Sequence, residues 1–153
     1  MGYLIEVEKL TAQKALAIRT RVRPEELSDE LARIFPEVFQ FAMSEQAGVS
    51  GMPFARYLID SASELEIEAG VPVSTTVRGN GRIMPIELPA GPAAVATHFG
   101  PYSGLSGARE ALRAWLRENG KSAADPMWEE YISDPGDEPD PAKWETRLCQ
   151  PIL

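Results

Sequence analysis

The sequence predicts an α+β fold: two βαββ units forming one antiparallel sheet about a pseudo-twofold axis, with helices on one face and a ligand cleft between the halves. Three observations lead there. The stretch Phe54-Ala55-Arg56-Tyr57-Leu58-Ile59-Asp60 is echoed by Trp128-Glu129-Glu130-Tyr131-Ile132-Ser133-Asp134. Leu65-Glu66-Ile67-Glu68 leads to Pro72-Val73 as Trp144-Glu145-Thr146-Arg147 leads to Pro151-Ile152. Each copy also follows a helix-like segment, and each helix follows a strand-like one, Ala15 to Arg21 and Ala93 to Phe99. The chain therefore reads as a single domain over 1–153 with pseudo-repeats at about 1–78 and 82–153.

The elements follow from local pattern. Leu4 to Leu10 alternates apolar and charged residues with the period of two of a half-buried strand, and Ala15 to Val22 continues it. With Thr11-Ala12-Gln13 as a bend between them, the two are either one bent strand or a tight pair. Pro24-Glu25-Glu26 supplies the proline and carboxylates of a first helical turn. The helix then runs toward Ala47-Gly48, with Leu27, Leu31, Ile34, Phe35, Val38 and Phe41 as its apolar stripe, Pro36 as a kink or break and Gly48 as its end. Strands follow at Phe54 to Ile59 and Glu64 to Glu68, joined by Ser61-Ala62-Ser63. Ala69-Gly70-Val71-Pro72 is expected to break the ladder, with Val73 to Val77 as an extension and Arg78-Gly79-Asn80-Gly81 as the midpoint turn. The second half opens on Ile83 to Leu88, turns at Pro89-Ala90-Gly91-Pro92 and resumes at Ala93 to Phe99. A helix with Leu105, Ala108, Leu112, Trp115 and Leu116 on one face ends at Asn119-Gly120. Trp128 to Ile132 and Trp144 to Cys149 are the last strands, separated by an acidic, proline-rich loop from Asp134 to Pro141.

Composition narrows function. At 153 residues and 44% apolar content, the chain can bury a core without disulfide or metal staples. A formal charge of -8 argues against a phosphate-binding surface, which needs lysine and arginine to displace counterions, and favours cationic partners. One Cys, Cys149, and one His, His98, exclude an internal disulfide and fall short of a structural zinc site, so neither metal nor cofactor is expected. No apolar run approaches the roughly 18 residues of a membrane span, and Met1-Gly2-Tyr3 does not open a signal peptide. The expectation is a soluble cytoplasmic protein without a membrane or direct nucleic-acid partner. An exposed edge at Leu4 to Leu10 offers a place for a second copy to pair.

Two groups of residues carry candidate chemistry. In Trp128-Glu129-Glu130-Tyr131 strand alternation puts Glu129 with Tyr131 on one face and Trp128 with Glu130 on the other, so one carboxylate points to the core and one to water. An inward carboxylate requires a hydrogen-bond donor or a ligand cation. The aromatic residues Phe54, Tyr57, Trp128, Tyr131 and Trp144, with Phe99 and Tyr102 before the second helix, either fill the core or line a pocket. Tyrosine and tryptophan beside acidic residues suit flat lipophilic cations. His98 reads as structural rather than catalytic and stays among the ligand-binding candidates. Ser103, Ser106 and His98 form no nucleophile-elbow motif, Gly79-Asn80-Gly81 lacks phosphate-cradle spacing, and the acidic loop lacks calcium-loop spacing.

Thr97-His98-Phe99-Gly100-Pro101-Tyr102 before a helix, Trp128-Glu129-Glu130-Tyr131 with Asp134-Pro135, and the closing Gln150-Pro151-Ile152 together resemble the GyrI-like small-molecule-binding family, which is also the effector-binding domain of AraC-type and MerR-type multidrug regulators. The resemblance covers nearly the whole chain and implies the duplicated βαββ fold with its cleft; a stand-alone form without a DNA-binding module is expected. It assigns the cleft carboxylate to Glu129, with Glu130 as the fallback. Tyr57, Trp128 and Tyr102 become cleft-lining aromatics, with Phe54 and Trp144 as further candidates. The implied function is binding of lipophilic, aromatic, often cationic compounds. Relatives imply two alternatives: hydrolysis of cyclopropane-bearing genotoxins with Glu129 as general base, and interaction with gyrase or a regulator.

Overall fold

A computed structural model describes residues 3–133 and 137–153; Asp134, Pro135 and Gly136 of the expected acidic loop lie outside the described residues. The chain forms two compact units, one of residues 12–89 and one of residues 1–11 with 90–153. Among the described residues each unit holds four antiparallel strands and one α-helix.

In the unit of residues 12–89, β2 (Gln13–Val22) lies between β4 (Leu65–Pro72) and β5 (Ile83–Leu88), and β3 (Phe54–Asp60) pairs with the other side of β4. Helix α1 (Leu27–Ser44) packs on β4 and β2. In the other unit β6 (Gly91–Phe99) lies between β1 (Ile5–Leu10) and β8 (Glu145–Pro151), and β7 (Trp128–Tyr131) pairs with β8. Helix α2 (Leu105–Glu118) packs on β6 and β8. Strand, helix, strand, strand is thus the order in both, and each sheet gains one further strand. That strand is β5 in one unit and β1 in the other. The expected bend or pair at Thr11-Ala12-Gln13 is instead the passage from one unit to the next, because β1 bonds to β6 whereas β2 bonds to β4 and β5.

Local chemistry explains most boundaries. Pro24 to Glu26 is a 3-10 turn that feeds α1, and the helix continues through Pro36 rather than splitting there. Its buried residues are Ile34 and Val38 of the expected stripe, joined by Ala42. It stops at Ser44, earlier than Gly48, because Gln46 already takes a left-handed conformation at φ 55. The expected break at Ala69 to Pro72 is absent. Strand β4 runs through it, buried at every position, and Val73 adds only an isolated bridge to Val49. Gly70 makes this run possible: a Cβ there would lie 1.8 Å from the carbonyl oxygen of Leu16, so the two backbones approach as only glycine allows.

The two units carry a reversed ion pair at places that match in the sequence echo. Arg56 of β3 faces Glu68 of β4, with Nη1 and Oε1 3.2 Å apart, where Glu130 of β7 faces Arg147 of β8, with Oε1 and Nη1 3.3 Å apart. The neighbouring residues differ in kind. Ala55 stands where the other copy has Glu129, so the wholly buried carboxylate of Glu129 has no counterpart at that position of the other unit.

Candidate functional site

The site is built on the unit of β1, β6, β8 and β7. Glu129 is 0% exposed and faces α2, from which Arg109 donates through Nη1 to its Oε2 at 2.6 Å. The Tyr131 hydroxyl donates to Oε1 at 3.0 Å. Strand alternation places Tyr131 beside Glu129, and i to i+4 spacing places Arg109 beside the buried Leu105 of α2. A guanidinium in contact with the carboxylate offsets the cost of burying its charge.

Three aromatic rings continue from this pair. Tyr102 meets Tyr131 at a centroid distance of 5.6 Å and Trp144 at 5.0 Å, both tilted, within the range of favourable ring contacts. The motif before α2 puts Tyr102 in place. Gly100, at φ 139, makes a turn that residues with a Cβ disfavour, and its N–H donates to the Trp144 carbonyl at 2.8 Å. His98 Nε2 lies 3.1 Å from the Pro101 carbonyl, which accepts and never donates, so Nε2 carries the proton. In the neutral ring with that tautomer the other nitrogen, Nδ1, accepts from the Tyr3 hydroxyl at 3.0 Å. Trp144 is held from its far end, because its indole N–H donates to the Glu138 carbonyl at 2.8 Å.

The expected residues thus divide. Glu129, Tyr131, Tyr102 and Trp144 form one connected set, and His98 braces the turn that carries Tyr102. Trp128 and Phe54 are wholly buried, and Tyr57 nearly so. Trp128 faces away from Glu129 and donates its indole N–H to Glu130 Oε2 at 2.9 Å. Phe54 and Tyr57 belong to the unit of residues 12–89. The sequence reading sends one of the two neighbouring carboxylates to water, and here the structure differs. The Glu130 side chain is only 14% exposed, tied to Arg147, which also reaches Glu8 Oε1 at 2.6 Å. Two residues of the site escape a reading of pattern. Arg109 sits on the flank of the α2 stripe, and Thr146, 0% exposed, lies between His98 and Tyr131 in the strand register. Helical spacing from Leu105 was the available signal for Arg109; Thr146 had none beyond its place in the repeat.

Cys149 lies on the Glu130 side of the sheet, its sulfur 3.9 Å from Glu130 Oε2. Burial pushes its thiol above the ordinary value of 9.0, and the adjacent carboxylate pushes it further in the same direction. The folded chain should therefore resist Ellman's reagent at pH 8, and the thiol should react only as urea unfolds it. Because the folded thiol keeps its proton at a pH where the unfolded one releases it, its contribution to stability is intact below about pH 9 and declines above. Cys149→Ala should flatten that alkaline decline, read from urea midpoints at successive pH values.

Among the described residues no group of His, Cys, Asp and Glu is arranged to hold a metal, and no helix is long and apolar enough to cross a membrane. The model of the GyrI-like small molecule binding domain matches residues 4–153. The chain belongs to this family. No curated protein matches it. This GyrI-like domain has the fold of the EcmrR C-terminal domain, at 22% identity and a TM-score of 0.87 over 100% of this chain and 99% of that one. In the EcmrR–DNA complex the corresponding match has a TM-score of 0.85 and 22% identity, covering 98% of this chain; the chain spans 57% of the length of that EcmrR chain. SAV2435, solved bound to tetraphenylphosphonium, is similar at a TM-score of 0.67 and 11% identity, over 100% of this chain and 94% of that one. A hydrolase encoded by lin2189 from Listeria innocua is similar at 0.65 and 14%, over 97% and 91%.

Proposed function

We propose that this GyrI-like domain binds flat, aromatic, often cationic lipophilic compounds, with Glu129 as the polar anchor and Tyr131, Tyr102 and Trp144 as the stacking surface. The observation that carries this reading is a wholly buried carboxylate continuous, through Tyr131, with a run of touching aromatic rings. Rings of this kind attract both apolar faces and cations. Removing roughly 300 Å² of ligand surface from water supplies on the order of 7 kcal/mol before association costs, and a cation–ring contact of about 0.5–2 kcal/mol with a carboxylate contact of up to about 4 kcal/mol brings micromolar affinity, about 8 kcal/mol net, within reach. The likeness to SAV2435 in its tetraphenylphosphonium complex supports a lipophilic cation as one ligand class.

Arg109 tempers the charge preference. Its guanidinium already touches Glu129, so an entering cation shares that carboxylate rather than meeting it bare. The cationic member of a matched dye pair should therefore bind only modestly better than the neutral one. Hydrolysis with Glu129 as general base is the weaker reading, because Tyr131 already donates to Oε1 and Arg109 to Oε2, so a water would have to share each oxygen with a donor already in place.

Fluorescence titration of a rhodamine-type cationic dye should give micromolar binding to the wild type. Glu129→Gln should weaken it at least tenfold, because the Arg109 guanidinium then faces the cation without its counter-charge, while altering a neutral aromatic dye far less. Absence of binding by any member of a chemically varied dye panel would reject the proposal. Equal affinity of wild type and variant for the cation would remove Glu129 from it.

A further inference from the structure

Among the described residues only two buried side-chain polar atoms lack a hydrogen-bond partner, and one is the Thr146 hydroxyl oxygen. Thr146 is 0% exposed, and a buried hydroxyl without a partner is disfavoured by about 1–3 kcal/mol. Its position is informative. In the sheet register it stands directly opposite His98 on β6 and Tyr131 on β7, and Trp144 lies two residues before it, just ahead of β8. Side chains of directly opposed residues lie close enough to interact. The hydroxyl therefore sits in the row that joins the brace of Tyr102 to the tyrosine holding Glu129.

The neighbours cannot satisfy it cheaply. Both nitrogens of His98 are engaged, by Tyr3 and by the Pro101 carbonyl, and Tyr131 gives its hydroxyl proton to Glu129. A buried water needs two to four polar partners, and neither a His98 nitrogen nor the Tyr131 hydroxyl proton is left over to serve as one. A ligand brings its own polar atom. The corresponding position of the other repeat is Ile67, which occupies the equivalent register place opposite Tyr57 with no polar atom at all. An apolar side chain thus serves packing there, and threonine at this place in the other unit serves something else.

We infer that Thr146 is the hydrogen-bonding specificity residue of the ligand site: its hydroxyl pairs with a polar atom on the frame of a flat aromatic ligand, and so selects heteroaromatic or carbonyl-bearing rings over pure hydrocarbons. The inference rests on the binding function proposed above and adds the class of ligand. Tyr102 and Trp144 are half-buried, whereas His98, Glu129, Tyr131 and Thr146 are buried, so the ring enters along the first two and presents its polar edge to Thr146. Hydroxyl can donate or accept, so a ring carbonyl and a ring N–H both qualify.

The experiment compares acridone, a flat three-ring frame with a carbonyl and an N–H, with anthracene, which has the same outline and neither. Each is titrated with excess protein and read by fluorescence, for wild type, Thr146→Val and Thr146→Ser. Wild type should prefer acridone. Thr146→Val should lose at least tenfold in acridone affinity, about 1.4 kcal/mol, with anthracene unchanged. Its thermal midpoint should stay level or rise, because valine removes the unsatisfied hydroxyl while keeping the shape. Thr146→Ser should keep the preference. Unchanged acridone affinity in Thr146→Val, or loss of the preference in Thr146→Ser, would overturn the inference while leaving the binding function standing. Failure of both compounds to bind wild type, with a dye panel also negative, would remove the binding function itself.

Discussion

Arg109→Met should lower the unfolding free energy by about 3–5 kcal/mol, measured by urea denaturation. The Arg109 side chain is 14% exposed and that of Glu129 0%, so water does little to screen their interaction. Removing the guanidinium takes the contact at 2.6 Å away from a carboxylate that remains inside the protein. Adding Glu129→Gln to Arg109→Met should recover more than half of the loss, because an amide keeps the shape and needs no counter-charge. The two single variants and the double one close a cycle that isolates the pair. A loss below about 1 kcal/mol in Arg109→Met would show that Glu129 does not depend on this helix residue.

Gly70→Ala should destabilise the unit of residues 12–89 by about 3 kcal/mol or more, lowering the thermal midpoint by about 6–12 °C. A Cβ at this place meets the Leu16 carbonyl oxygen at 1.8 Å and the Ala17 Cα at 2.8 Å, and both are backbone atoms of the paired strand β2. No rotamer change relieves such a clash. The strands must separate, and β2 is an interior strand, bonded on its other side to β5. A midpoint within about 2 °C of wild type would mean that the ladder bends there at little cost.

These two sites show how far pattern reaches. The alternation of Leu4 to Leu10, the heptad-like spacing in both helices and the repeated strand pairs predict element types correctly, because side-chain period follows directly from backbone geometry. Errors fall where backbone meets backbone. Gly70 reads as a breaker, since glycine and proline commonly end strands; the structure uses the missing side chain for a close approach inside the ladder. Gly48 reads as the end of α1, yet Gln46 turns the chain first.

The site divides in the same way. Sequence alone determined the two faces of Trp128 to Tyr131 and the placing of Glu129 with Tyr131 on one of them, since both follow from a period of two. It also marked Tyr102 through the turn before α2. Only the tertiary structure decided that Arg109, 20 residues from Glu129, meets its carboxylate, that Glu130 is held by Arg147 instead of facing water, and that the Thr146 hydroxyl lies in the same row with nothing to bind. Periodicity assigns a face to a side chain. The partner across that face comes from another element, and its distance depends on packing that no local pattern encodes.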